Sequence, residues 1–278
     1  MTTSCASAPE KATDRVCPRE MARKDRVDKV LVERGFVSSR EKSRALVMAG
    51  KVTVDGKRVD KPGAQIKGDA HLLVQEGDSS YVSRGGEKME GALRAFAVDP
   101  KGMIVMDVGA STGGFTDCIL QKGAKKVYAV DVGYGQLAWK LQKDPRVVSL
   151  ERRNIRYLQR EEIQEEIDLI LIDTSFISVE KFLPHLLGFL KRGGAILSLI
   201  KPQFEVGKGE VGKGGVVRDK TLHERVITRI AAFSRGLGLT VLGVTESALL
   251  GPRGNREFFI YLKKEDVGYG QTEGTPTC

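Results

Sequence analysis

The chain of 278 residues is 41% apolar and 29% charged, the balance of an ordinary globular protein. A chain of this length can bury a self-sufficient hydrophobic core, so we expect neither a disulfide scaffold nor a structural metal. No apolar run approaches the roughly 20 residues that span a bilayer. The N-terminal segment also lacks the apolar stretch of a secretory signal. Membrane insertion and classical secretion are therefore disfavoured.

Cysteine and histidine usage argues against metal and hydrolytic sites. The four cysteines form no C-x-x-C pair, which predicts a reducing, cytoplasmic location and no zinc site. They are Cys5, Cys17, Cys118 and Cys278. The three histidines lie beside no serine or cysteine motif, so a hydrolytic triad has little support.

The net charge is +9, and its distribution along the chain is uneven. Between Arg26 and Arg58 there are nine Lys or Arg against four Asp or Glu, a local surplus of five. More than half of the excess charge therefore lies in about an eighth of the chain. Such a concentration is typical of a surface that binds a polyanion.

The N-terminal part predicts a small α+β module over residues 25–80. Residues 1–24 are polar and aperiodic, which indicates a disordered tail. Apolar residues at helical spacing follow, in a helix that ends at Gly35. Ser38 or Ser39 can cap a second helix that ends before Gly50. Asp55-Gly56 between alternating apolar residues predicts a hairpin, and a short strand closes the module near Glu76.

Residues 81–99 predict a linker with a lead-in helix, and residues 100–264 alternate strand and helix. The strand candidates are 103–108, 126–132, 147–152, 168–174, 195–201, 240–246 and 257–264, with helical segments between the first six. Continuous apolar strands with helical crossovers indicate an α/β fold, a mostly parallel sheet covered on both faces. No helical pattern precedes the last strand, which we therefore expect to run antiparallel. Residues 265–278 are predicted to be a second disordered tail.

A glycine-rich segment, MDVGASTGGFTD, follows the first strand of the large domain. Its glycines allow a sharp turn and close approach to a ligand, but its spacing is neither G-x-G-x-x-G nor a P-loop. The D-x-G-x-x-x-G pattern resembles the first motif of S-adenosylmethionine-dependent methyltransferases. Asp131 ends the next strand, where a carboxylate can bind ribose hydroxyls. The candidate cofactor-binding residues are Asp107, Gly109, Ala110, Ser111, Thr112, Gly113, Gly114, Asp131, Val132, Asn154 and Asp173.

Four charged residues occupy conspicuous positions: Lys88, Asp173, Lys201 and Glu257. Asp173 and Lys201 end two consecutive apolar strands, so they should lie side by side at the cofactor crevice. Burying such groups is costly unless they are paired. The Gly- and Lys-rich stretch 201–219 follows Lys201, and it fits either a mobile lid that contacts RNA or a solvated loop.

The motifs S-R-G-G-x-K, D-V-G-A-S-T-G-G-F-T-D, D-T-S-F-I-S, K-P-Q-F-E and G-N-x-E-F occur in order. Together they resemble the hemolysin-A-like (TlyA) ribosomal RNA methyltransferases, relatives of the FtsJ ribose methyltransferases. The resemblance extends from about Arg26 to about Lys264. It implies a Rossmann-like class I methyltransferase fold with a seven-stranded sheet and an S4-like RNA-binding module at the N-terminus. It also implies S-adenosylmethionine as cofactor and no metal.

The family's activity is 2′-O-methylation of cytidine ribose in 16S or 23S ribosomal RNA, and its catalytic tetrad falls on the four charged residues above. Lys201 would be the base, held by Asp173, and Lys88 would orient the 2′-oxygen, held by Glu257. The expected partner is ribosomal RNA or a ribosomal subunit. The candidate RNA-binding residues are Arg26, Lys29, Arg40, Lys42, Arg44, Lys51 and Arg84. Two alternatives stay open: a non-catalytic RNA-binding or assembly protein on this scaffold, and a cytolysin.

Overall fold

The computed structural model describes residues 24–37, 39–48, 50–74, 80–207 and 209–265, and the chain divides into two compact units, residues 1–78 and 79–278. Both predicted tails lie outside the described residues except at their inner ends, Lys24 and Glu265. Lys24 begins a strand rather than ending a tail.

The small unit contains five short strands and two helices. They are β1 (Lys24–Arg26), α1 (Val27–Glu33), α2 (Arg40–Met48), β2 (Val52–Val54), β3 (Lys57–Val59), β4 (Gln65–Lys67) and β5 (Leu72–Val74). The predicted hairpin joins β2 to β3, with Asp55 and Gly56 at φ 47° and 76°, the left-handed values of a tight two-residue turn. The sequence prediction missed the antiparallel β1–β4 pair, since three-residue strands are too short to show a period.

The large unit contains a seven-stranded sheet and six helices. Its elements are α3 (Arg84–Ala95), β6 (Ile104–Val108), α4 (Gly114–Gln121), β7 (Lys126–Val130), α5 (Trp139–Gln142), β8 (Val147–Leu150), β9 (Ile167–Ile172), α6 (Leu183–Leu186), β10 (Leu190–Ile200), α7 (Pro202–Glu205), α8 (Lys220–Gly236), β11 (Leu239–Glu246) and β12 (Phe258–Lys264). The strand order is β11-β12-β10-β9-β6-β7-β8. β12 is antiparallel to both neighbours, and the five strands from β10 to β8 are parallel. The expected Rossmann-like sheet with an antiparallel last strand is thereby confirmed.

One predicted crossover is wrong. No α-helix connects β8 to β9, and two single 3₁₀ turns, Ile155–Tyr157 and Arg160–Glu162, take its place. The apolar side chains of Ile155, Leu158 and Ile163 still reach the core that covers this face of the sheet. Core coverage therefore needs only three correctly spaced apolar residues here, not a helix.

The lead-in helix begins at Arg84, four residues before Lys88, where the apolar pattern of the sequence places its start. Ser83 caps α3, since its hydroxyl accepts a hydrogen bond from the Gly85 amide at 3.3 Å. This cap places Lys88 in the second turn of the helix. Because parallel strands end at the same edge of a sheet, the residues after β6, β7, β9 and β10 all gather at one edge, where the candidate site lies.

Candidate active site

The loop between β6 and α4 depends on two glycines. Gly109 has φ 87°, and a Cβ at that position would lie 2.7 Å from the Asp173 carbonyl oxygen. Gly113 has φ 93°, and a Cβ there would lie 2.3 Å from a Leu141 methyl group. Only glycine satisfies both the left-handed backbone and the lack of space. The loop is thus held against the end of β9, where Asp173 stands.

Asp107, near the end of β6, is a fully buried carboxylate. Its Oδ2 accepts hydrogen bonds from the Thr116 amide at 3.0 Å and the Thr116 hydroxyl at 2.7 Å. Its Oδ1 has no hydrogen-bond partner within the described chain. Burial is the main reason that the pKa of Asp107 rises to about 7, and the nearby charge of Asp173 adds to the rise.

Asp131 stands at the end of β7 and shapes the glycine-rich loop. Its Oδ2 accepts a hydrogen bond from the Ser111 amide at 2.8 Å, and its Oδ1 accepts one from the Gly133 amide at 2.7 Å. A carboxylate offers about four lone-pair sites, so further hydroxyl groups can still bind. Asn154 follows β8 and uses its side-chain oxygen to cap a turn at the Arg156 amide.

Two cavities of about 400 and 470 Å³ open at this sheet edge, and Gly109, Ser111 and Asp173 line both. Nine of the eleven candidate cofactor-binding residues line one or both cavities. The other two, Thr112 and Gly113, line neither cavity. The Thr112 carbonyl accepts a hydrogen bond from the Ala138 amide, and Gly113 packs against Leu141. These two residues shape the loop from behind.

Lys201 and Asp173 form the first of two lysine–carboxylate pairs. Lys201 Nζ lies 2.6 Å from Asp173 Oδ1 and donates a hydrogen bond to the Ser175 hydroxyl at 3.0 Å. The Lys201 side chain is only 11% exposed, so the ammonium group is held by these two oxygens rather than by bulk solvent. The sequence prediction missed Ser175, although D-T-S-F marks it as a turn residue beside Asp173.

Lys88 and Glu257 form the second pair, and it is buried. Lys88 Nζ donates to Glu257 Oε2 at 2.5 Å, and the Glu257 side chain is fully buried. Glu257 Oε1 packs against the backbone of Gly251, where a Cβ would lie only 2.0 Å away. Gly251 is therefore a further functional residue, and no spacing rule identifies it because the loop that carries it is irregular.

The four charged residues act on one another electrostatically. Burial raises the pKa of Asp173, while the positive charges of Lys201 and Lys88 oppose that rise and Glu257 adds to it. The structure therefore brings together all four candidate catalytic residues. Lys88 and Asp173 both line the first cavity, beside the unpartnered Asp107 oxygen.

In the small unit, three candidate RNA-binding arginines converge on Asp28, which the sequence analysis did not single out. Asp28 is fully buried and lies 2.9 Å from Arg26, 3.2 Å from Arg44 and 3.7 Å from Arg40. The hydrogen bond from Arg26 is the main reason that its pKa falls to about 2. An acid inside a basic run, two residues after Arg26, is the sequence feature that could have revealed it.

The other candidate RNA-binding residues are placed differently. Lys29 is paired with Asp25 at 2.6 Å and Glu33 at 3.4 Å, whereas Lys42 is exposed and Lys51 half-buried. Arg84 belongs to the large unit, where it donates to the Leu250 carbonyl and lines the first cavity.

The Gly- and Lys-rich stretch after Lys201 is anchored at both ends of its described part. α7 begins it, and Val216 and Val217 are buried near its end. The Val217 amide donates to the Asn255 side chain at 3.1 Å. Lys208 lies outside the described residues. These contacts are compatible with a lid and with a fixed loop alike.

Two features are absent from the described residues. No helix there is long and apolar enough to cross a membrane. No group of three His, Cys, Asp or Glu side chains in the described ranges is arranged to hold a metal ion.

Comparison with known proteins matches both units. A family model described as FtsJ-like methyltransferase covers residues 81–264, and an S4 domain model covers residues 25–72. The 16S/23S rRNA (cytidine-2′-O)-methyltransferase TlyA of Mycobacterium tuberculosis is 48% identical over 246 residues, which cover 88% of this chain and 92% of TlyA. Hemolysin A of Brachyspira hyodysenteriae is 39% identical over 238 residues, covering 85% and 99%. A solved structure from Streptococcus thermophilus, described as a candidate hemolysin, has TM-score 0.70 and 44% identity, covering 88% and 90%.

Proposed function

The chain belongs to the FtsJ-like methyltransferase family, and we propose that it methylates the ribose 2′-hydroxyl of a cytidine in 16S or 23S ribosomal RNA, or in both, with S-adenosylmethionine as donor. The observation that carries this proposal is the pair of lysine–carboxylate contacts beside a glycine-rich loop, at the edge where two cavities meet. A ribose hydroxyl is a weak nucleophile, so its methylation needs a base and precise placement.

The residues at the glycine-rich loop fit S-adenosylmethionine. The unpartnered Oδ1 of Asp107 is a buried acceptor that suits a cationic amino group, and Asp131 can accept hydrogen bonds from ribose hydroxyls. Gly109 lets the loop lie against the end of β9, because a side chain there would collide with the Asp173 carbonyl group. When bound, this cofactor supplies an activated methyl group on a sulfonium. The family resemblance implies that no metal takes part, and the proposed reaction uses none.

Lys201 first loses one Nζ proton to solvent, and as the neutral amine it then accepts the proton of the 2′-hydroxyl. Asp173 and Ser175 fix the position of that nitrogen from two sides, which limits the rotamers of a long flexible side chain. The negative charge of Asp173 also stabilises the positive charge that forms on Lys201 when the amine receives the proton. Both groups sit at strand ends in the rigid sheet, and this geometry favours transfer over mere binding.

Lys88 orients the 2′-oxygen and stabilises the negative charge that develops on it. Glu257, which is fully buried and does not line the first cavity, holds the ammonium group of Lys88. Because Lys88 lies on α3 and Lys201 follows β10, the two lysine nitrogens reach the site from different elements. The Lys201 amine and the Lys88 ammonium group can therefore act on the hydroxyl together, and no covalent enzyme intermediate is needed.

The small unit supplies RNA affinity through its basic surface. Asp28 keeps three guanidinium groups together, and such a preformed cluster suits the phosphates of folded RNA. The partner is ribosomal RNA, free or within a subunit, and the location that follows from this substrate is the cytoplasm.

Transfer of labelled methyl from S-adenosylmethionine to ribosomal subunits tests the proposal. We expect label in 16S or 23S RNA, on a cytidine that becomes resistant to alkaline cleavage on its 3′ side. Label confined to a base, or no label with any subunit or naked RNA, contradicts it. In the second case the non-catalytic RNA-binding alternative would stand.

A further inference from the structure

Exposed aromatic side chains cluster beyond the active site, at the β7–β8 edge of the sheet. Tyr134 and Trp139 are each 69% exposed. The Arg152 guanidinium lies 4.1 Å from the Tyr134 ring centre, and the Lys143 ammonium lies 4.4 Å from the Trp139 ring centre. Large aromatic rings left in solvent, each with a cation over one face, are unusual for a surface that binds nothing.

Two of these side chains, Tyr134 and Arg152, border one cleft. Together with Gln142, Ser149 and Glu151 they line a cavity of about 450 Å³. Trp139 does not line the cavity, but it lies three residues before Gln142 on α5, so the two side chains are neighbours on that helix. The cleft thus combines a stacking platform with amide, hydroxyl and carboxylate groups that can bind the edges of a nucleobase.

The backbone is strained to build this platform. Arg152 has φ 55°, a left-handed value that non-glycine residues rarely adopt. The Arg152 amide donates to the Gly133 carbonyl at 2.9 Å, which ties the strained residue to the loop carrying Tyr134. The same loop begins at Asp131, which lines the second cavity, so one loop carries residues of both the cleft and the candidate cofactor site.

The positive charge of residues 134–160 indicates what kind of ligand the cleft binds. Residues 134–160 contain seven Lys or Arg and two Asp or Glu, a surplus of five that equals that of the small unit's basic run. Neither Lys143 nor Arg152 forms an ion pair in the part of the chain that is described. Positively charged groups beside exposed aromatic side chains are the combination with which proteins bind single-stranded nucleic acid.

We infer that this cleft, lined by Tyr134, Arg152 and Gln142, forms with the neighbouring Trp139 a second RNA-contact surface that stacks an unpaired base of the substrate. It deepens the proposed function, on which it rests, by extending the RNA footprint from the small unit onto the catalytic unit. The bound base is distinct from the target nucleotide, because Lys201 follows β10 whereas Ser149 of the cleft lies on β8, four strand positions away in the sheet and thus roughly 19 Å distant.

Trp139 makes the test direct, because it is the one tryptophan in the sequence. A short polyuridylate, added to the full chain, should quench its fluorescence by stacking. Tyr134→Ala should weaken polyuridylate binding about 5- to 100-fold, the scale of one lost base stack. Tyr134→Phe keeps the ring and should bind like the wild type. Leu242→Ala, which truncates an exposed side chain on the opposite edge strand β11, is the matched control.

Unchanged fluorescence with polyuridylate, or a Tyr134→Ala affinity equal to that of the control, overturns the inference. Equal quenching by heparin, a polyanion without bases, would show that charge alone acts and would also overturn it. Methyl transfer to ribosomal subunits, measured in parallel, separates the two proposals. If the protein binds polyuridylate by stacking but transfers no methyl group, the RNA-contact surface is supported and the proposed reaction is contradicted. Methyl transfer without any change in tryptophan fluorescence would contradict the second RNA-contact surface and leave the proposed reaction intact.

Discussion

Lys201 and Asp173 meet at 2.6 Å although they leave two different strands. Their strands β9 and β10 are parallel neighbours in which Ile172 pairs with Ser198, so the residues that follow both strands emerge at the same sheet edge. The contact is therefore a consequence of sheet register. A change to either side chain should alter the chemistry while the strands stay paired.

Lys201→Ala should lower the rate of methyl transfer about 10²- to 10⁴-fold, the scale of one general base, with fold and binding retained. Lys201→Arg should not restore the rate, because arginine does not release its proton near neutral pH. Single-turnover assays at saturating RNA and cofactor isolate the chemical step. If the Lys201→Ala enzyme transferred methyl at the wild-type rate, Lys201 would not be the base. If the Lys201→Arg enzyme did so, the role of Lys201 would be electrostatic only.

Gly251→Ala should reduce methyl transfer by displacing Glu257. The added Cβ would lie 2.0 Å from Glu257 Oε1, so the carboxylate must move and its 2.5 Å contact with Lys88 must lengthen. We expect at least a tenfold loss of single-turnover rate, with cofactor affinity retained. Gly236→Ala on α8 adds the same methyl group to open space and serves as the control. Equal rates for both variants would show that Glu257 does not position Lys88.

Asp107→Asn should stabilise the protein at alkaline pH. The pKa of Asp107 is about 7 in the folded chain, because of burial, against 3.8 for the free group. The folded state therefore binds more protons between these values, and the stabilising contribution is full below about pH 4 and lost as the pH rises through about 7. Because asparagine cannot ionise, the variant should gain up to about 4 kcal/mol at about pH 8.

Thermal unfolding without ligand, from about pH 3.5 to about pH 8, measures this difference. The melting temperatures of variant and wild type should converge at the acidic end and separate at the alkaline end. A gap that stays constant across the range would show that Asp107 ionises normally. The amide oxygen of asparagine can still accept both Thr116 hydrogen bonds, which keeps the comparison clean.

Replacing Arg40, Lys42 and Arg44 together with alanine should weaken RNA binding and flatten its dependence on salt. Each lost phosphate contact lowers the slope of log affinity against log salt by about 0.7 to 0.9. Asp28 stays paired, because Arg26 still donates to both of its oxygens at 2.9 Å. Filter binding to ribosomal RNA at several salt concentrations measures the slope. An unchanged slope would move the phosphate contacts away from α2.

Asp131→Ala should weaken S-adenosylmethionine binding about tenfold or more, since the loop amides of Ser111 and Gly133 lose their acceptor and the ribose hydroxyls lose theirs. Calorimetric titration gives the affinity. Glu224→Ala, which removes an exposed acid on α8, controls for the change in net charge. Equal affinities in the two variants would place the ribose elsewhere.

Local sequence determined the features that depend on neighbouring residues. The Asp55-Gly56 hairpin, the glycine turn after β6 and the buried strands that end in Asp173 and Lys201 follow from turn chemistry and apolar period. The family resemblance located the four charged residues in the chain. Each of these features rests on contacts within a few residues or on a motif read in order.

Only the tertiary structure decided which distant groups meet. Lys88 and Glu257 are 169 residues apart, Asp28 collects arginines from two elements, and Gly251 leaves space for a carboxylate six residues later. The same holds for the β8–β9 connection, where three apolar side chains cover the core without a helix. Burial, pairing and steric space arise from packing between elements, and no spacing within a single element contains that information.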